Sequence, residues 1–244
     1  MVRDQPTADH GDLALILDAH RRYLESERRE GARADLRGAD LSNAQLAAVD
    51  LRRARLTHAH LDGADCSGAN LQGANLAGAS LRGARLRNAD LSAARLSGAL
   101  LAGADLADAR IEKAEMEFAL LAESNLSGAC LRDADLSGAN LEKAELGGAD
   151  LRGANLRGAN LRQAQLDGAD LRDARLGGAI LSGASLRRCN LTRAYLRVAK
   201  LDGADLSGAD LRDAVGLIAA QLTAARRDSH TRFSPDFGLG GDDR

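Results

Sequence analysis

The side chains with the most chemical reach in this chain are few and scattered. His58 and His60 stand close together and could offer two imidazoles to a divalent metal. A stable zinc-type site takes three or four ligands, and no third is spaced to join them. Cys66, Cys130 and Cys189 form no disulfide framework and no Cys-x-x-Cys pair, so they read as reduced thiols. Serines are abundant, but no histidine recurs beside them to act as a base. There is no phosphate-binding loop and no dinucleotide fingerprint. These patterns point away from an enzyme, and the expected catalytic residues, metal and cofactor are none.

What positions these residues is a period of five. Steps of five from residue 36 to residue 211 define 36 positions, of which 33 are Leu. The exceptions are Cys66, Ile111 and Met116. Two residues earlier, Ala fills 33 of 36 positions, the others being Val49, Ser124 and Cys189. A helix turns ~100° per residue, so steps of five would scatter the leucines around its surface. A flat strand would send alternate leucines to opposite faces. One geometry sends every Leu inward: the backbone must turn a corner once per quintet and coil around its own leucines. Glycine two residues after the Leu in 18 of 36 quintets suits such corners, because it tolerates φ > 0. Asp or Asn just before the Leu suits them too, through side-chain bonds to nearby backbone. Short fixed periods of this kind mark solenoids.

The quintets Ala69-Asn70-Leu71-Gln72-Gly73, Ala154-Asn155-Leu156-Arg157-Gly158 and Ala204-Asp205-Leu206-Ser207-Gly208 resemble those of the pentapeptide-repeat family. The resemblance runs over residues 34–215. It implies an all-β solenoid: a right-handed quadrilateral parallel β-helix of about nine coils, roughly 43 Å long at ~4.8 Å per coil. It also implies possible partners. Some members, the Qnr-type quinolone-resistance proteins among them, protect DNA gyrase and topoisomerase IV, and several are thought to imitate a DNA duplex. In several members the C-terminal coil and helix form a homodimer contact.

The flanks carry their own signals. Residues 1–10 read as a disordered lead. Residues 11–33 form an N-terminal cap, with an amphipathic helix from Asp12 to Glu30 that places Leu13, Ile16, Leu17, His20 and Leu24 on one face and stops at Gly31. Its expected task is to cover the open end of the first coil. Residues 216–237 comprise a short helix from Leu217 to Arg226 and an extended segment. Leu217, Ile218 and Leu222 are the candidate residues of that helix for a cap or a dimer contact. Residues 238–244 read as a disordered tail. The chain has no membrane span and no signal-peptide pattern, so a cytoplasmic location is expected.

Charge argues against direct nucleic-acid binding. The formal net charge is −2, whereas nucleic-acid binders carry a basic surface. A duplex mimic would need the opposite, about one negative charge per 1.7 Å. Residues 34–215 hold 23 Lys and Arg against 24 Asp and Glu. Stacking quintets twenty residues apart leaves no strongly acidic face. On the face containing Leu51, Asp and Arg recur as Asp150 with Arg152, Asp170 with Arg172, and Asp210 with Arg212, a pattern expected to form a solubilising charge ladder. The repeat is least regular from Ile111 to Ser124. There Phe118 and Leu120 occupy outward registers at one corner, and Leu100 stacks one coil below Leu120, amid Glu115, Glu117 and Glu123. This cluster is the candidate protein-contact patch. The expected function is therefore a rigid surface for protein binding or scaffolding, with gyrase or topoisomerase IV modulation as the alternative.

Overall fold

Each quintet is one side and one corner of a coil. In the computed structural model, residues 10–27 and 29–237 are described. The expected lead (apart from His10, which begins the first helix) and the expected tail lie outside them. Parallel bridges join residues twenty apart, from Asp35 with Arg55 through Tyr195 with Val215. One turn therefore takes four quintets, and every residue keeps its column along the rod. We call the side containing Leu36 face 1 and those containing Leu41, Leu46 and Leu51 faces 2, 3 and 4. The extended part of a side is a single bridged residue, so the sheets are ladders of isolated bridges rather than long strands.

The hydrogen bonds repeat with the sequence. The Leu36 N–H donates to the Arg55 carbonyl at 2.7 Å, and the Arg55 N–H donates back to the Ala34 carbonyl at 2.9 Å. At the corner, the Ala39 N–H donates to the Leu36 carbonyl at 3.2 Å. The third residue of every such turn has positive φ, 18 of them Gly and 18 not. That is the type II turn signature. Half the corners thus accept the αL cost at a side-chain-bearing residue, about 1–2 kcal/mol each. The Asp and Asn residues before the central Leu, all but Asp35, stabilise the corner by accepting the N–H two residues on.

The core is the interior of the tube. Its leucines and alanines are almost wholly buried, and each Leu contributes about 1.5–3 kcal/mol against chain entropy. The off-pattern inward residues are accommodated. Ser124 donates its hydroxyl to the Leu121 carbonyl at 2.7 Å, and the Cys189 thiol meets the Leu166 carbonyl at 2.9 Å.

At both ends the chain departs from the sequence expectation. The first helix, α1, spans His10–Glu25, beginning two residues earlier and ending five residues earlier than expected. Glu27 takes the left-handed turn (φ 53), and the chain doubles back. Gly31 then passes so close to the Ala19 carbonyl and Tyr23 N–H that a Cβ would collide with both. Leu13, Ile16 and Leu17 pack on the first coil, and the buried His20 Nδ1 accepts the Ala34 N–H at 3.1 Å. At the other end the expected α-helix is only a 3-10 turn, Ala219–Leu222. Gln221 ties this turn to the coil before it: its Nε2 donates to the Leu196 and Ala199 carbonyls, each at 2.8 Å. The chain then rejoins the ladders, pairing Arg226 with Asp205 and Arg232 with Asp210. Pairing therefore outlasts the quintet pattern on two further sides, faces 3 and 4.

Candidate functional site

The three residues of the candidate patch come together on the edge between faces 1 and 2. Leu100 and Leu120 are bridged neighbours on face 2. Phe118 occupies the αL position of the preceding corner at φ 56. Its side chain is 69% exposed, that of Leu120 43%, and Leu100 is half-buried. The ring lies along the rod toward the next coil, where a Cβ on Gly138 would fall 2.5 Å from Cε1. Glycine at 138 is thus what lets an aromatic ring lie flat on this edge. Outward Ala102 and Ala122 extend the apolar strip on face 2.

The acidic rim is partly neutralised. Glu115 accepts from Arg95 Nε at 3.1 Å, and Glu123 lies 3.9 Å from Lys143 Nζ. Glu117 accepts the Ser97 hydroxyl at 2.6 Å and, among the described residues, has no cationic partner.

A second exposed apolar group lies on the same edge nearer the C-terminus, and the sequence reading did not single it out. Tyr195 is 49%, Val198 70%, Val215 46% and Ile218 59% exposed. Val198 is a β-branched residue in the left-handed region, at φ 52, where such residues are outliers. The available signal was the same as for Phe118: an apolar residue in an outward register. Of the candidate cap or dimer residues, Leu217 and Leu222 are buried against the last coil, while Ile218 faces outward.

Face 4 carries a continuous run of ion pairs. Arg110 reaches Asp90 at 4.0 Å and Glu112 at 3.4 Å. Arg132 bonds Glu112 and lies 3.7 Å from Asp150. Arg152 holds Asp150 at 2.7 Å and approaches Asp170 at 3.8 Å, and Arg172 closes on Asp170 at 2.6 Å. The Arg152 guanidinium and backbone keep the Asp150 carboxyl below its usual range. Asp210 with Arg212 forms a separate pair at 2.6 Å.

The chemically reactive side chains are dispersed. His58 occupies a left-handed corner with its ring against Gly78, and His60 lies in a face 2 ladder between Asp40 and Ser80. Burial pushes the Cys66 and Cys189 thiols up to about 12. Cys130 is half-buried among the face 4 ion pairs. Among the described residues, no three His, Cys, Asp or Glu side chains converge on a metal-sized space.

Comparison with known proteins agrees with the coil. The family model for pentapeptide repeats matches eight copies, over residues 32–65, 64–103, 99–138, 134–173 and 179–215. HetL, a pentapeptide repeat protein involved in heterocyst differentiation regulation from the cyanobacterium Nostoc sp. strain PCC 7120, is 35% identical, with 91% of this chain and 98% of HetL covered and a TM-score of 0.43. Rfr23 from the cyanobacterium Cyanothece 51142 is 42% identical over 37% of this chain and 58% of its own, with a TM-score of 0.30. QnrB1, a plasmid-mediated fluoroquinolone resistance protein, is 22% identical over 66% of this chain and 92% of its own, with a TM-score of 0.32. No curated protein matches the chain. The chain belongs to the pentapeptide-repeat family. None of these comparisons indicates a catalytic family, and no helix among the described residues is long and apolar enough to cross a membrane.

Proposed function

We propose that this protein is a non-enzymatic, cytoplasmic, right-handed four-sided β-helix, capped at both ends, that presents a rigid surface to a protein partner through Leu100, Phe118 and Leu120. The observation that carries the reading is Phe118. A large aromatic stays 69% exposed in a left-handed corner, with Leu100 and Leu120 stacked on the adjoining face. An exposed apolar cluster with a polar rim is the usual form of a protein-contact site. The rod supplies rigidity, so binding would incur little ordering cost.

The alternative, modulation of DNA gyrase or topoisomerase IV by imitation of DNA, needs a strongly acidic face. The face 4 acids are matched by arginines along their length, so that face favours the protein-contact reading.

The test compares proteins retained on immobilised wild-type chain with those retained on the triple variant Leu100→Ser, Phe118→Ser, Leu120→Ser. All three side chains point outward, so the variant should keep the native circular dichroism spectrum. At least one partner should be lost from it about tenfold or more, the scale of removing a central aromatic anchor. A folded triple variant that retains the same proteins would overturn the reading. A gyrase supercoiling assay with and without a quinolone is run alongside. Dose-dependent inhibition or drug protection that survives the triple substitution would install the alternative.

A further inference from the structure

The two exposed apolar groups lie on one edge, and each places one residue in the same corner column. Phe118 and Val198 occupy the same column, the left-handed corner after face 1, four coils apart. At ~4.8 Å per coil that is roughly 19 Å. Their flanking charges are opposite. Glu117 precedes Phe118, and Arg197 precedes Val198 in the same outward column. One column over, Asp135 and Arg175 sit two coils apart on face 1. Among the described residues none of these four makes an ion pair within the chain, whereas the face 4 acids do.

The matches share one centre. Residue 118 and residue 198 are symmetric about 158, 117 and 197 about 157, and 135 and 175 about 155. Those three centres fall in one coil. A two-fold axis through that coil, perpendicular to the rod, would satisfy every match at once, as an isologous contact requires. The corner positions between Phe118 and Val198 are Gly138, over which the Phe118 ring lies, Gly158 and Gly178, so none of them adds a side chain of its own.

We propose that two copies of this chain pair side by side and antiparallel along the edge between faces 1 and 2, Phe118 of each resting against Val198 of the other. Glu117 meets Arg197 of the other copy and Asp135 meets Arg175, each twice by symmetry. Arg157 meets its own counterpart at the axis, beside the Asp135 carboxylate that interacts with it electrostatically. The pairing covers Phe118, Val198 and, on the flanks, Tyr195 and Ile218. It differs from an end-to-end contact through the C-terminal cap, which would hold the two Arg157 residues a rod's length apart. The inference rests on reading the Phe118 patch as a protein contact and names its partner.

The experiment is sedimentation velocity on the full chain with two charge reversals. Wild type should sediment at twice the chain mass. Glu117→Arg alone and Arg197→Glu alone should each shift it to the chain mass, and the double variant should return it to twice the chain mass, because the pairs are re-formed with signs exchanged. In a Cys130→Ser background, Arg157→Cys should form a disulfide-linked dimer under mild oxidation. A monomeric wild type, a double variant no better than the singles, or a dimer in which Cys at 157 does not cross-link would each overturn the proposal. A monomer that still loses another protein partner on the Leu100, Phe118 and Leu120 substitutions would overturn the self-pairing and leave the protein-contact reading intact.

Discussion

Glycine matters at single positions here for two separable reasons, backbone conformation and room. At Gly103 (φ 66) a Cβ would meet nothing within 4 Å, whereas at Gly138 (φ 65) it would meet the Phe118 ring. Gly103→Ala should therefore cost only the left-handed penalty, about 1–2 kcal/mol. Gly138→Ala should cost that plus the displacement of the ring, an added ~0.5–1.5 kcal/mol. The added part should vanish when Phe118→Ala is also present. Urea unfolding of the four proteins measures the coupling, and equal losses for both glycines in the wild-type background would show that the ring does not rest on Gly138. The corner rule was legible in the sequence only as a preference for Gly. The structure shows the position to be left-handed whatever residue fills it, from Asn43 to Val198, because coil closure outweighs the local cost.

The ends carry the chemistry that the repeats lack. His20 is buried under α1, and its Nδ1 accepts the Ala34 N–H, so the ring must be neutral to hold the cap. Burial lowers its pKa below the ordinary 6.5, opposed by the Asp50 charge and by hydrogen bonding to the Arg52 backbone, while the Arg33 and Arg52 charges add to the lowering. The sign follows from linkage. Between the folded and unfolded values the unfolded chain binds the proton more readily. The contribution of His20 is complete above about 6.5 and is lost as pH falls through the interval below it. Protection of the α1 amides, taken relative to their intrinsic exchange rates, should fall between pH 7 and pH 5, and His20→Gln should remove that dependence. A wild-type α1 whose protection is flat over this range would refute it. The helix itself was legible from its apolar spacing. Its early end at Glu25 and the role of Gln221 were not, because each depends on one residue meeting backbone many positions away. The pairing of Arg226 and Arg232 escaped for a related reason. Those bridges bond backbone to backbone and ask nothing of the side chains.

Over the whole molecule the decisive comparison is between surface charge and buried leucine. The face 4 arginines are conspicuous, yet Arg132 is 46% and Arg152 39% exposed, and exposed pairs are worth ~0–1 kcal/mol. Arg132→Met should thus change unfolding free energy by less than about 1 kcal/mol, with little added effect of salt. Leu156→Ala, at a wholly buried site, should cost about 3–5 kcal/mol. Chemical denaturation of both variants checks the ranking, and a larger loss from Arg132→Met would place the stability on the surface. The coil and its interior were readable from the period of five alone. The matching of Glu117 with Arg197 and of Asp135 with Arg175 was not, because charges counted face by face cancel. Complementarity emerges only when each is assigned a height along the rod.

The bonds between coils all run along the axis, as from Leu36 to Arg55 and onward at every level. Pulled from its ends, the rod would therefore bear load on one coil's bonds at a time, with successive coils in series. It should yield as a peeling tape rather than a snapping bar. Each released coil would pay out twenty residues, about 70 Å of chain at ~3.3–3.6 Å per residue, while the coils still stacked keep their full length and their surface unchanged.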